Sequence, residues 1–261
     1  MPDPAILLAI RPRDCHWCGN GYYAKGHAVT GIIDLINNPE DAPEAVTPVI
    51  RELTIYDLAA EDAERQPVLD ALEDYDPLVV ISFGHGGPGM YTGNSEISII
   101  DLLNIGVMEG RMWHTLSCLC GQRLGPEMIA QGGLAFMGYD QSWYWVAEDE
   151  TAAGDPKEDR YAWPFFESDN QCSIILAVTQ DPGMATSWSL MVYQAWIDYW
   201  LDNPEGDPYA TEVAKWLIWD RDAFVLYGEG RPPALRPTAL PLALLGFPLL
   251  LGAVVSSRSP Q

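Results

Sequence analysis

Three short apolar runs, each cut off by glycine, constrain this chain more than any other feature. They are Leu78–Phe83 before Gly84-His85-Gly86-Gly87, Met112–Leu116 before Ser117-Cys118-Leu119-Cys120-Gly121, and Leu134–Met137 before Gly138. Runs of this length, bounded by glycine, read as strands buried on both faces of a parallel sheet. Between the second and third runs, Leu124 to Gln131 reads as a short helix stopped by Gly132-Gly133. Strand, helix and strand in that order form a right-handed parallel unit. Consecutive parallel strands bring their carboxyl ends to one edge, where open α/β sheets hold ligands. His85 and Cys118 are therefore expected side by side at that edge.

The ordered pattern, strand then His-Gly followed by strand then small residue and Cys, is familiar. In His85-Gly86, Ser117-Cys118 and Gly121 the chain resembles the caspase-like cysteine peptidases: caspases, gingipains, legumain, clostripain and separase. The Cys-x-x-Gly form looks most like the gingipain branch. Phe224-Val225-Leu226-Tyr227-Gly228-Glu229 resembles the late strand and Gly-Asp turn of that branch, with Glu in place of Asp. The resemblance spans residues 5–230. It implies an α/β, three-layer αβα caspase-like fold with a mostly parallel central sheet. It also implies a cysteine endopeptidase acting on a protein or peptide, with no cofactor and no metal. Cys118 would be the nucleophile, His85 the proton donor to the leaving amine, and the Gly86 and Cys118 N–H groups the oxyanion hole. In the family, residues after the strand that follows the catalytic Cys help line the specificity pocket. Here these are Asp140, Ser142 and Trp143. A buried Asp140 would pair with Arg or Lys through charge-assisted hydrogen bonds, so cleavage after a basic residue is expected. The competing reading of Asp140 is a turn cap.

The residues themselves make chemical sense of this assignment. Peptide hydrolysis by cysteine needs a thiolate, a proton donor for the leaving amine and donors for the oxyanion. Glycine at 86 and 87 lets backbone approach a substrate with no Cβ in the way. A helix starting just after Cys118 is expected to lower its thiol pKa. The competing reading of Cys118 is a buried structural thiol. Cys120 is the rival nucleophile, but the small Ser117 precedes Cys118 and Gly121 stands at the matching offset. His114, inside its strand, is expected to be structural, and His16 and His27 to be solvated or satisfied. Cys15-His16-Trp17-Cys18, after a strand and before a helix, also describes a thioredoxin-like redox site or half of a zinc site. Two alternatives therefore stand beside the peptidase: an inactive caspase-like binding module, and a thiol redox or zinc-binding protein.

At 261 residues the chain suits one large domain, residues 1–230, followed by a Pro-rich linker and an apolar tail over 231–261. Ala239 to Val255 carries no charge and sits at the short limit of a membrane span, about 17–25 residues, so a membrane anchor is expected there. The alternative is a tail packed on the domain. The net charge of −23 repels phosphate backbones and argues against nucleic acid as a partner. The plain reading of that charge is a solvated acidic coat, as in proteins of high salt. Five cysteines, an odd number, argue against a disulfide framework. The apolar run Ala5–Ile10 is too short for a signal-peptide core, so a cytoplasmic domain is expected.

The remaining elements follow from periodicity. Strands are expected at 4–10, 49–56 and 223–227, and helices at 22–37, around Val68–Leu72, at 188–201 and at 209–219. Residues 87–95 read as a mobile loop over the site, and 97–106 as a short helix or a hairpin. From Asp140 to Asn170 no period survives, which reads as a long lid or binding loop.

Overall fold

The computed structural model describes residues 5–13, 18–50, 52–93, 97–148, 154–202 and 206–228. Most of the Cys15-x-x-Cys18 segment, His16 included, lies outside these residues, as does everything from 229 onward, including the 239–255 tail. Among the described residues, no helix is long and apolar enough to cross a membrane.

Six strands form the central sheet: β1 (Ala5–Arg11), β2 (Leu53–Ala59), β3 (Val79–Phe83), β7 (Met112–Leu116), β8 (Ala135–Tyr139) and β9 (Phe224–Gly228). Their spatial order is β2-β1-β3-β7-β8-β9, with only β9 antiparallel to its neighbour. The fold is thus the mostly parallel α/β architecture expected from the apolar runs. Alternate residues of each strand point to opposite faces, and two separate cores result. Leu7, Ala9, Val79, Ile81, Leu116 and Met137 pack with helices α1 (Cys18–Asn37), α4 (Trp163–Thr179), α5 (Pro182–Asp202) and α6 (Ala210–Ala223). Leu8, Ile10, Val80, Trp113 and Phe136 pack on the other side with α2 (Arg65–Tyr75) and α3 (Leu124–Ala130). Helices therefore cover both faces, giving three layers.

Three sequence expectations change. The described residues of 87–95, expected as a mobile loop, and the start of 97–106, expected as a short helix or hairpin, join a small antiparallel sheet of β4 (His85–Gly87), β5 (Met90–Thr92) and β6 (Ser98–Asp101). Tyr91 anchors it by donating from its hydroxyl to the Phe83 carbonyl at 2.8 Å. The aperiodic 140–170 stretch is only partly a loop, because α4 begins at Trp163. Nearly every residue of α4 is buried, Glu167, Asp169, Asn170 and Gln171 among them. A helix enclosed on all sides has no apolar stripe for periodicity to find. Finally, β2 starts at Leu53 rather than 49, and α5 extends back to Pro182.

Candidate active site

The register of β3 against β7 sets the site. Phe83 lies opposite Leu116, and the Gly84 N–H donates to the Leu116 carbonyl at 3.2 Å, so the two strands end together. His85 and Cys118 each come two residues after that last pair. They line one cavity of about 50 Å³ together with Phe83, Gly84, Leu116, Ser117, Trp143 and Trp145. The two strand-end segments touch at Gly86. A Cβ there would meet the Cys118 carbonyl at 2.7 Å and the Cys120 sulfur at 2.6 Å. Glycine at 86 is thus dictated by close packing of the His85 segment on the Cys118 turn.

The Cys118 turn has an unusual backbone. Leu119 adopts φ +62°, in the left-handed region that non-glycine residues seldom occupy. Its N–H donates to the Gln141 carbonyl at 3.1 Å, and the Gly121 N–H donates to the Tyr139 carbonyl at 2.9 Å. These bonds tie the turn to the end of β8. The Cys118 sulfur also accepts a hydrogen bond from the Trp143 N–H at 3.3 Å. Burial raises the Cys118 thiol above its ordinary pKa, against the lowering effect of the Trp143 N–H. The expected helix effect does not operate. Five residues of turn intervene, and α3 starts only at Leu124.

Cys120 occupies a different environment two residues on. It is fully buried, and its sulfur lies 3.3 Å from both the Met90 carbonyl, which can accept from the thiol, and Ser117 Oγ, which can donate to it. Burial pushes its pKa up to about 12. Cys120 thus packs the small sheet against the Cys118 turn.

Of the proposed pocket residues, Trp143 lines the cavity, whereas Asp140 and Ser142 do not. The Asp140 N–H donates to the Ala223 carbonyl, and its carbonyl accepts from Gln122 Nε2. Ser142 uses its carbonyl to accept from Trp219 Nε1 at 2.8 Å.

A buried polar network that the sequence did not disclose stands behind the cavity. Lys25 of α1, fully buried, pairs with Asp169 of α4 at 2.5 Å and donates to Ser173 Oγ at 3.0 Å. His114 of β7 shares a 2.7 Å hydrogen bond with Ser173 through Nδ1. Its Nε2 lies 3.2 Å from Asp169 Oδ1, off hydrogen-bonding geometry. Tyr139 donates to Asp169 at 2.9 Å and meets the Tyr193 hydroxyl at 2.9 Å, which in turn accepts from Trp143 Nε1 at 3.2 Å. Despite the burial of Asp169, Lys25 and then His114 hold its carboxyl well below the usual carboxylate range. Burial lowers the pKa of His114. Ser173, His114 and Asp169 are the residue types of a hydrolytic triad, but all three are sealed from solvent. Their place is structural: the network links α1, α4, β7, β8 and α5 to the loop whose Trp143 N–H meets the Cys118 sulfur. Asp220 of α6 holds that loop from the other side, accepting from the Tyr144 N–H at 3.1 Å. His27, in turn, pairs with Asp155 at 2.8 Å on the outer surface of α1. Among the described residues, no group of His, Cys, Asp and Glu is arranged to hold a metal.

No protein-family model matches the chain, and no curated protein sequence is significantly similar to it.

Proposed function

We propose that this protein is a cysteine endopeptidase of the caspase-like kind, with Cys118 and His85 as its reacting pair. The observation that carries the reading is their convergence on one cavity at the carboxyl edge of a mostly parallel sheet. In this mechanism the Cys118 thiol gives up its proton with the help of the His85 imidazole, and sulfur attacks the peptide carbonyl carbon. The protonated imidazole then delivers that proton to the leaving amine. Water, activated by the same imidazole, cleaves the thioester and frees the acid. The Gly86 and Cys118 N–H groups are proposed to stabilise the oxyanion. Pinning of the Cys118 turn by Gln141 and Trp143 supports this, because preorganised donors need not reorient as charge develops.

One feature favours the second reading, an inactive binding module: burial raises the Cys118 thiol above its ordinary pKa. Turnover of fluorogenic peptides by the reduced protein separates the two. The peptidase reading expects activity in the wild type and in Cys120→Ala, and a loss of at least a thousandfold in Cys118→Ala and His85→Ala. A binding module shows no turnover in any form.

A further inference from the structure

We infer that the cavity beside Cys118 receives a small, uncharged side chain, of alanine to valine size, from the substrate residue whose carbonyl Cys118 attacks. The inference rests on the peptidase reading and replaces the expected basic preference.

Three observations lead to it. First, position: the side chain nearest the reacting sulfur belongs to the residue that carries the attacked carbonyl, and the cavity walls include Leu116, Ser117 and Cys118 themselves. Second, chemistry: apart from the reacting pair, Ser117 and the Gly84 backbone, the lining is Phe83, Leu116, Trp143 and Trp145. No carboxylate lines it, and Asp140 is absent from its walls. A Lys or Arg entering this cavity sheds water and meets no carboxylate in its walls, the Asp220 carboxyl behind Tyr144 being sealed from solvent, and a cation–π contact with a tryptophan returns only part of that cost. An acidic side chain lacks even that compensation. Third, size: an apolar cavity of about 150 Å³ holds the six carbons of benzene. The roughly 50 Å³ here, open to solvent on one side, matches two or three heavy atoms held within its walls.

Trp145 makes the wall adjustable. It packs beside Trp143 and Phe166, with ring centroids 5.4 and 5.7 Å away, and is only partly buried. Shortening it enlarges the cavity while the more deeply buried Trp143 stays in place.

The test uses the full-length protein and peptidyl acyloxymethyl ketones that differ only in the residue next to the warhead: Ala, Val, Leu, Phe, Lys, Arg or Asp. Labelling is read by intact mass and localised by peptide mapping, with Cys118→Ala as the control. The expected result is Cys118 labelling by Ala or Val probes at least about tenfold faster than by Lys, Arg or Asp probes. In Trp145→Ala the Leu and Phe probes gain on the Val probe. Trp145→Phe, which keeps an aromatic ring in the wall, gives the same shift to a smaller degree. Fastest labelling of Cys118 by the Lys or Arg probe overturns the pocket assignment and leaves the peptidase reading standing. Absence of Cys118 labelling by every probe overturns the peptidase reading, and the pocket assignment with it.

Discussion

Cys118 and Cys120 share a turn and differ in almost everything that governs thiol chemistry. Cys118 faces a cavity with His85, while Cys120 is sealed beneath Gly86 with its pKa near 12. Iodoacetamide at neutral pH is therefore expected to modify Cys118 and spare Cys120, which peptide mapping checks. Glu167 makes a second residue-level prediction. It lies buried in α4, accepting from Trp196 Nε1 at 2.8 Å, and burial pushes its pKa up to about 7 from an ordinary 4.5. As pH rises through this range the unfolded chain releases the proton first. The stability present below pH 4.5 is therefore lost progressively until pH passes 7. The loss is ~3 kcal/mol. In Glu167→Gln this loss disappears, and urea melts of the two forms at pH 4.5 and 7.5 measure the difference. Lys25 presents the opposite case, a charge whose partner holds it in place. Lys25→Met leaves the Asp169 carboxylate buried without its cation and is expected to cost about 3–5 kcal/mol. Adding Asp169→Asn should recover part of that loss in the same melts.

At the scale of elements, the sequence disclosed what repeats and missed what is enclosed. β3, β7 and β8 were legible because buried parallel strands are unbroken apolar runs with glycine at their ends. The juxtaposition of His85 and Cys118 followed from topology alone. α4 was not legible, because a helix buried all round interleaves Phe165 and Phe166 with Glu167, Asp169 and Asn170. Asp169 is met by Lys25 and Tyr139, and the Asn170 amide donates to the Ala24 carbonyl, partners more than twenty positions away that no local pattern can announce. The small sheet of β4 to β6 was hidden for another reason. Its strands are only three or four residues long, too short for alternation to rise above the turn residues around them. The cavity lining was half visible. Trp143 belonged to the expected pocket segment, whereas Phe83 and Leu116 read only as core, and Asp140 does not line the cavity. The Gly86 contact yields an element-level prediction. Gly86→Ala forces β4 away from the Cys118 turn, since the added methyl meets the Cys118 carbonyl and Cys120 sulfur. A destabilisation of about 1–3 kcal/mol is expected, together with a fall in peptide turnover beyond that of Cys120→Ala. Thermal melts and turnover measured on the same samples check both effects.

Over the whole molecule, 37 acidic side chains face 14 basic ones. Such an excess makes the folded state repel itself, and salt screens that repulsion. Stability is therefore expected to rise with ionic strength, by about 2–4 °C in Tm for each kcal/mol of repulsion removed. A scan from 0.05 to 2 M KCl measures it. The same charge bears on substrates. It favours the approach of basic polypeptides at long range, while the apolar cavity selects an uncharged side chain at the bond itself. Attraction and selection thus act on different parts of one substrate.

The claim at the centre of this account is that Cys118 and His85 react as a pair. The most direct measurement is the rate of Cys118 alkylation by iodoacetamide as a function of pH, in the wild type and in His85→Ala. The account predicts a loss of about tenfold or more between pH 6 and 8 in His85→Ala, with the two curves converging at high pH, where the thiol ionises unaided. Curves that superimpose across the whole range would contradict it: the two residues would then share a cavity without sharing a proton.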